Sequence, residues 1–339
     1  MPTTAARIMK YGLKYIVITV ILLSPFQAAA ASDIRAFHNI NQLPYKQIFA
    51  LPSLDNSPLT ERGSMRFNFI TNLSNTYDIT ADSNELIVTD AETLRTSLIF
   101  NYALMDNWQI GIEVPYIRHG SGFLDDFIYD WHDFFGMPQN GRKGDTSDRM
   151  QMSYRHGTDY LYAISGSDVS GLGDIRINAA HSLSWLSRKL IISSELKFPT
   201  GDFDKLTGSG GYDFSVGLTL NDPYSLGEYD ITLFAGMAGA FLGDVDGELA
   251  DKQNNFVLAG RAGIGWQVSD FLQLKAQIDA LSPLYDSGIK ELGESSLQLT
   301  FGTALLFTEH VSVDFSIAED IKPCTAADVA LQLTLVLTY

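Results

Sequence analysis

The amino-acid sequence predicts an all-β fold: a transmembrane antiparallel β-barrel of about twelve strands, with one helical extracellular loop. Three observations support this prediction. The last twelve residues, Asp328 to Tyr339, alternate between apolar and mostly polar positions, as a strand with one apolar face does. The N-terminus has the form of a secretory signal peptide. Between these two ends, alternating segments are separated in turn by short and long connections, which is the arrangement of outer-membrane barrels.

The composition excludes several classes of function. The chain of 339 residues has 23 Lys and Arg against 40 Asp and Glu, a formal net charge of −17. Nucleic acids require clustered basic residues, so we expect no nucleic-acid partner. The single cysteine, Cys324, cannot form an intramolecular disulfide. No cofactor or metal motif is present, and the sequence predicts neither group.

Residues 1–31 are predicted to be a signal peptide. Arg7, Lys10 and Lys14 precede a short apolar run, which is followed by small residues up to Ala31. This order predicts Sec-type export with cleavage near Ala31. The apolar run is roughly half of the ~20 residues that a transmembrane helix needs, which argues against a helical anchor.

Residues 32–63 precede the first predicted strand. They contain Pro44, Pro52 and Pro58, and prolines at this spacing disfavour a regular strand or a long helix. Two interpretations remain: a periplasmic lead-in, or a plug that enters the barrel.

Residues 64–339 contain twelve segments of period-two patterning and are predicted to form the barrel domain. The predicted strands are 64–76, 92–104, 108–119, 172–185, 190–199, 211–221, 229–243, 254–267, 271–282, 295–307, 311–319 and 328–339. The short connections predict periplasmic turns and the longer ones outer loops, of which 120–171 is the longest.

The charged residues inside these strands are predicted to line the lumen. A basic side chain on the lipid face costs about 2–4 kcal/mol at the bilayer midplane, so the charged face should point inward. The predicted lumen-lining residues are Arg66, Arg95, Glu113, Asp174, Arg176, Glu195, Lys197, Asp213, Arg261, Lys275, Asp279 and Asp314. Six cations and six anions can pair, which leaves the net negative charge mostly to the loops.

The long loop has the one helical pattern in the chain. Phe123, Phe127, Trp131 and Phe135 lie four residues apart, which predicts an amphipathic helix that ends at Gly136. The helix could enter the lumen, cover its mouth, or lie on the outer leaflet, where its carboxylates could meet divalent cations of lipopolysaccharide.

The sequence Asp130-Trp131-His132-Asp133 in this loop is the one candidate for catalysis. A histidine between carboxylates could act as a general base, which leaves a barrel-embedded hydrolase using His132 as an alternative. The chain has no G-x-S-x-G and no H-E-x-x-H motif, so we predict no enzymatic activity and assign no catalytic residue.

Four stretches resemble a bacterial family known only as a domain of unknown function. They are W-H-D-F-F-G-M-P (131–138), S-G-L-G-D (170–174), L-K-F-P-T-G-D (196–202) and T-G-S-G-G (207–211). The similarity runs from about residue 40 to the end of the chain. The G-L-G-D and K-x-P-T-G-D motifs are also similar to those of an outer-membrane family assigned to a meta-pathway of phenol degradation, whose members are thought to move hydrophobic compounds. These resemblances imply a barrel in the outer membrane and carry no catalytic residues.

The terminal Tyr339 resembles the C-terminal assembly signal of outer-membrane barrels, which implies the barrel-assembly machinery as a partner. Outer-membrane lipid and lipopolysaccharide are the other expected partners. The sequence as a whole predicts a narrow channel or binding barrel for passive uptake of a small solute. A closed structural barrel of the envelope is the second alternative.

Overall fold

The structure is a computed structural model that describes residues 34–52, 54–124, 130, 133, 149–185 and 188–339, without the side chain of Glu248. The predicted signal peptide lies outside the described residues. Among these residues, no helix has both the length and the apolar character needed to cross a membrane.

The strands belong to one antiparallel sheet. In chain order they are β1 (Met65–Ala81), β2 (Glu85–Met105), β3 (Trp108–Gly120), β4 (Gln151–His156), β5 (Asp159–Ser165), β6 (Val169–Leu172), β7 (Ile175–Trp185), β8 (Arg188–Phe198), β9 (Asp213–Leu226), β10 (Ile231–Phe241), β11 (Phe256–Ser269), β12 (Leu272–Leu281), β13 (Ser296–Leu306), β14 (Val311–Asp320) and β15 (Val329–Thr338). Within the described part of the chain, the twelve strands other than β4, β5 and β6 form a closed barrel, because β15 pairs with β1. Each of the twelve predicted strands overlaps one of them, so this prediction is confirmed.

Side-chain alternation places an apolar surface on the outside of the barrel. On β15, Leu333 is 51% exposed, whereas its neighbour Thr334 is 6% exposed. A continuous apolar exterior is favourable in contact with hydrocarbon and unfavourable in contact with water. This exterior is therefore that of a barrel that spans a membrane. The leucines of β15 face outward and are not buried between two sheets.

The two ends of the barrel differ. We call the end with short connections, such as Met105 to Trp108 and Ser269 to Leu272, the turn end, and the opposite end the loop end. Exposed aromatic residues, including Trp108 and Trp266, lie near the turn end. Tyr339 also lies there, where its ring stacks on His310 at 5.7 Å between centroids.

Two predicted loops contain more strand than expected. Residues 77–91, predicted to be a connection, continue β1 and β2 in register from Tyr77↔Asp90 to Ala81↔Leu86. Their side chains are too polar for a lipid face, but backbone pairing beyond the membrane does not need an apolar face. Within residues 120–171, β4 pairs with the first residues of β2 and β6 pairs with the end of β3. β4 thus covers the edge of β2 that its pairing with β3 leaves open, and β6 covers the edge of β3 that its pairing with β7 leaves open.

The predicted loop helix falls mostly outside the described residues. Asp130 and Asp133 are helical, and Phe123 is exposed. Phe127, Trp131, His132 and Phe135 are not described, so the amphipathic helix and the hydrolase alternative stay predictions.

Residues 34–52 and 54–60, the described part of a segment (34–60) that we call the luminal segment, lie inside the barrel as two arms. The first arm begins near the turn end, where the side chain of Ile34 lies against Gly265 of β11. It rises to an apex at the loop end that contains a short helix, α1 (Pro44–Gln47). The second arm returns to the turn end, where Leu59 N donates to Gln109 Oε1 at 2.8 Å. The described interior is therefore crossed twice by the chain.

Candidate functional site in the lumen

All twelve charged residues predicted for the lumen lie on the inner face of the barrel. Ten of them are buried, and Glu195 and Asp279 are partly buried. Five of the six cations form ion pairs with anions of the same set. These pairs are Arg95–Glu113 (3.1 Å), Arg176–Glu195 (3.8 Å), Lys197–Asp174 (2.7 Å), Arg261–Asp279 (2.5 Å) and Lys275–Asp314 (2.7 Å). Their role along a solute path remains a prediction.

Glu113 is the centre of a charged cluster on the inner face of the barrel. Its carboxylate accepts from Arg95 Nη2 at 3.1 Å and from Ser97 Oγ at 2.8 Å, and Arg176 Nη1 lies 4.0 Å away. Two guanidinium groups so close would repel each other without this anion. Glu113 therefore stabilises the folded wall of β2, β3 and β7.

The luminal segment brings His38 to the same cluster. His38 Nε2 lies 3.6 Å from Glu113 Oε2. Burial lowers the pKa of the imidazole below its usual 6.5, although the Glu113 carboxylate acts in the opposite direction. His38 is therefore neutral at neutral pH and would add a buried positive charge beside Arg95 and Arg176 when protonated.

This arrangement predicts acid sensitivity. Because the folded pKa of His38 is lower than the unfolded pKa, the unfolded chain binds more protons between the two values, and stability falls as pH drops below 6.5. We expect His38→Asn to lose less unfolding free energy than the wild type between about pH 7.5 and about pH 5. Urea unfolding in detergent measures this loss. Replacement of the exposed His310 by Asn is the matched control, and an unchanged acid loss in the His38 variant would contradict the assignment.

Three of the motifs that resemble the family of unknown function meet at a second charged cluster, around Lys197. Lys197 Nζ donates to Asp174 Oδ2 at 2.7 Å, lies 3.1 Å from Asp213 Oδ2, and donates to Ser209 Oγ. Asp174, Lys197 and Ser209 belong to S-G-L-G-D, L-K-F-P-T-G-D and T-G-S-G-G, respectively. These motifs are distant in sequence, and the fold places them at one point at the loop end.

Glycine is required in this cluster because two backbones approach closely. A Cβ on Gly201 would lie 2.7 Å from Gly208 Cα, which no side chain could avoid by rotation. The close approach lets Gly201 N donate to Asp174 Oδ1 at 2.8 Å, while Ser209 N donates to Oδ2 at 3.0 Å. The glycine motifs thus hold the loop between β8 and β9 against the barrel wall.

Wall side chains also bind the backbone of the luminal segment. Charged donors reach carbonyl oxygens on both arms: Lys275 to Arg35 O (3.0 Å), Arg261 to Asn39 O (2.9 Å), Lys197 to Ile48 O (3.2 Å), Arg176 to Phe49 O (2.9 Å) and Arg66 to Ser57 O (2.7 Å). Bonds from charged donors are stronger than neutral ones, and they satisfy carbonyl groups that a segment without regular structure would leave unpaired. The alternation pattern of the strands could not reveal these partners.

A polar cavity of about 120 Å³ remains between the two arms and the wall, where residues of β1, β2, β3, β7, β8 and β9 line it. Its lining includes Asn68, Asn101, Gln109, Asn178, Ser193 and Ser215, together with His38 and Glu113. One ordered water needs roughly 10–15 Å³, so the cavity has room for roughly ten waters or a small polar molecule.

An apolar cluster at the apex closes the loop end above this cavity. Tyr45 and Phe49 pack edge-on against Tyr162 and Tyr285, with ring centroids 5.7 and 5.9 Å apart. The cluster also contains Ile48 and side chains from the outer loops. Its side chains are buried and packed together, as in the core of a soluble domain. We call this cluster the apolar cap.

Comparison with solved structures supports the same architecture. The COG4313 outer membrane channel from Pseudomonas putida F1 matches with a TM-score of 0.51 and 13% identity, over 86% of this chain and 98% of that chain. At this identity the match shows the fold alone. Two further outer-membrane proteins are less similar. The NanC porin has a TM-score of 0.44 and 7% identity, over 80% of this chain and 98% of that chain. The Pseudomonas putida toluene transporter TodX has a TM-score of 0.36 and 9% identity, over 83% of this chain and 89% of that chain.

Comparison by sequence gives the family. No curated protein sequence matches the chain. The resemblance to the phenol-degradation family finds no support in these comparisons and stays a prediction. The sequence model of one family covers residues 13–339, and the chain therefore belongs to the family described as "Protein of unknown function (DUF3187)".

Proposed function

We propose that this protein is a gated channel of the bacterial outer membrane that binds and passes a small polar solute. The observation that carries the proposal is the polar cavity enclosed between the luminal segment and the charged wall. Binding sites for small polar molecules are concave and present a few convergent polar groups. The fold, shared with an outer-membrane channel, supports the location.

The chemistry of the cavity favours a polar solute over a hydrocarbon. Its wall carries amides, hydroxyls and charges, and several polar atoms at its edge, including Asn68 Oδ1 and Glu195 Oε1, have no hydrogen-bond partner within the described residues. A polar molecule could satisfy these atoms, whereas an apolar molecule would leave them desolvated. Both signs of charge are present, so neutral or zwitterionic solutes fit better than strongly charged ones.

Passage requires the apex of the luminal segment to move. The apolar cap seals the loop end. When the luminal segment withdraws, water can replace its carbonyl groups as hydrogen-bond partners of the Lys and Arg side chains of the wall. In the proposed orientation the turn end faces the periplasm, and the luminal segment withdraws toward it. Outer-membrane lipid surrounds the apolar exterior, lipopolysaccharide contacts the loop end, and Tyr339 is the proposed signal to the barrel-assembly machinery.

Filling the cavity tests the proposal. Ser215 of β9 faces the cavity and is 3% exposed, whereas its neighbour Val216 faces outward and is 46% exposed. We expect Ser215→Phe to remove most of the flux of small neutral polar solutes into proteoliposomes, because the ring occupies much of the cavity. Val216→Phe adds the same ring on the lipid side and should keep the wild-type flux. Equal flux in both variants would contradict a path through this cavity.

A further inference from the structure

We propose that the loop end contains a binding site for a zinc-like divalent metal ion, formed by Asp78, Glu291 and Cys324. Each of the three side chains offers one ligand atom, and these atoms lie within 4.8 Å of one another. Asp78 comes from β1, Glu291 from a short helix, α2 (Lys290–Gly293), and Cys324 from the loop between β14 and β15. This site is separate from the cavity proposed to bind the solute.

Two buried carboxylate oxygens point to a missing partner. Asp78 is 2% exposed and Glu291 is fully buried, and, apart from the contact of Asp78 with the Cys324 thiol, Asp78 Oδ2 and Glu291 Oε2 have no hydrogen-bond partner in the described part of the chain. The other Glu291 oxygen accepts from Thr80 Oγ1. Carboxyl oxygens without a partner are costly to bury, and a bound cation would remove this cost.

Neighbouring charges do not supply that partner. Lys46 is the nearby cation, and its Nζ donates to Thr325 O at 3.0 Å. Asp320 and Asp328 lie in the same region. Lys290 also acts on Glu291, and Lys322 is paired with Glu294 at 2.8 Å, so the four carboxylates outnumber the cations that are left to balance them. A divalent ion would reduce this excess of negative charge.

The surrounding loop presents Cys324 to the two carboxylates. Asp320 accepts from Lys322 N at 3.1 Å, from Thr325 N at 2.8 Å and from Ala326 N at 3.0 Å, which fixes the turn that carries the cysteine. The Cys324 thiol is in hydrogen-bonding contact with Asp78, and burial raises the pKa of the thiol. A metal ion would replace the thiol proton, which would pass to solvent, so one proton is released for each ion bound.

The donor set favours zinc among the common divalent ions. One thiolate with two carboxylates is a borderline-soft set that suits Zn²⁺, whereas Ca²⁺ and Mg²⁺ prefer oxygen ligands alone. Tetrahedral zinc with Zn–O of about 2.0 Å and Zn–S of about 2.3 Å needs ligand atoms roughly 3.3–3.7 Å apart. Small side-chain rotations therefore suffice to close the site, and water could be the fourth ligand.

Titration with Co²⁺, a spectroscopic substitute for Zn²⁺, tests the site. Tag-free full-length barrel, stripped with a chelator and held in detergent, should bind one Co²⁺ with a thiolate-to-metal absorption band in the near ultraviolet, and Zn²⁺ should displace it. Cys324→Ser should abolish the band. Glu291→Gln should weaken affinity by more than the roughly 10–100-fold that loss of an outer partner causes. Asp286→Asn, an exposed carboxylate of the same loop, is the matched control and should bind normally.

A second measurement needs no variant. Zn²⁺ should slow alkylation of Cys324 in the wild-type protein, because a metal-bound thiolate is not free to react. The proposal is overturned if Co²⁺ gives no thiolate band and Zn²⁺ gives no protection. It is also overturned if metal binding persists unchanged in both Cys324→Ser and Glu291→Gln.

Discussion

Deletion of residues 34–60 is expected to turn a mostly closed barrel into a permanently open pore. This segment supplies both arms that cross the lumen and the Tyr45, Ile48 and Phe49 side chains of the apolar cap. Barrels of about eight strands are filled by their own side chains, and those of 16–18 strands leave an aqueous channel. A twelve-stranded barrel lies between these cases, so the segment decides whether this one conducts.

Single-channel recording in planar bilayers measures the effect. The full-length protein should show long silent periods with rare openings, and the variant without residues 34–60 should conduct continuously, with at least about a tenfold rise in mean current if the open lumen fills with water. The change in gel mobility on boiling, typical of folded barrels, shows that the variant is folded. A folded variant that stays silent would contradict the gated channel and favour a closed structural barrel.

Replacement of Lys197 by methionine is expected to produce the largest loss of stability of any single substitution in the lumen. The Lys197 side chain is fully buried and pairs with the buried carboxylates of Asp174 and Asp213. Methionine has a similar volume but leaves both anions without their cation. Removing one partner of a buried ion pair costs about 3–5 kcal/mol, because a buried charge is left uncompensated.

The same substitution should also loosen the apex, since Lys197 Nζ donates to Ile48 O. Chemical unfolding of the refolded barrel measures the stability, and more frequent channel openings would report the loosened apex. Lys205→Met is the matched control, because Lys205 lies in the loop between β8 and β9 but forms only an exposed pair with Asp202, so its loss should leave both readouts unchanged. If the two lysine variants are equally stable, the cluster does not hold the loop end as described.

The alternation of polar and apolar residues was sufficient to predict the barrel. The strands and their inner and outer faces follow from period-two alternation, which is a property of adjacent residues. Phe67 and Leu333 face outward, and Arg95 and Lys197 face inward, as the alternation predicts. The polar continuation of β1 to Ala81 was missed because pairing beyond the membrane leaves no alternation of polarity to detect.

The site in the lumen could not be predicted in this way, because it depends on contacts between residues that are distant in sequence. The luminal segment has no period, and its position depends on hydrogen bonds such as that between Phe37 N and Gln277 Oε1, which are 240 residues apart. Its prolines could not distinguish a lead-in from a plug. Likewise, the sequence indicated that six cations face six anions, but the choice of partner depends on strand register and on the luminal backbone.

Side-chain direction along a strand repeats every two residues, so the amino-acid pattern predicts twelve strands with a charged inner face, and the N-terminal residues predict an export signal. Three features could not be read from that pattern: residues 34–52 and 54–60 fill the lumen, the motifs of residues 170–174, 196–202 and 207–211 meet around Lys197, and Asp78, Glu291 and Cys324 converge. Each of these features is held by contacts between residues that are far apart in the sequence and meet only in the folded barrel.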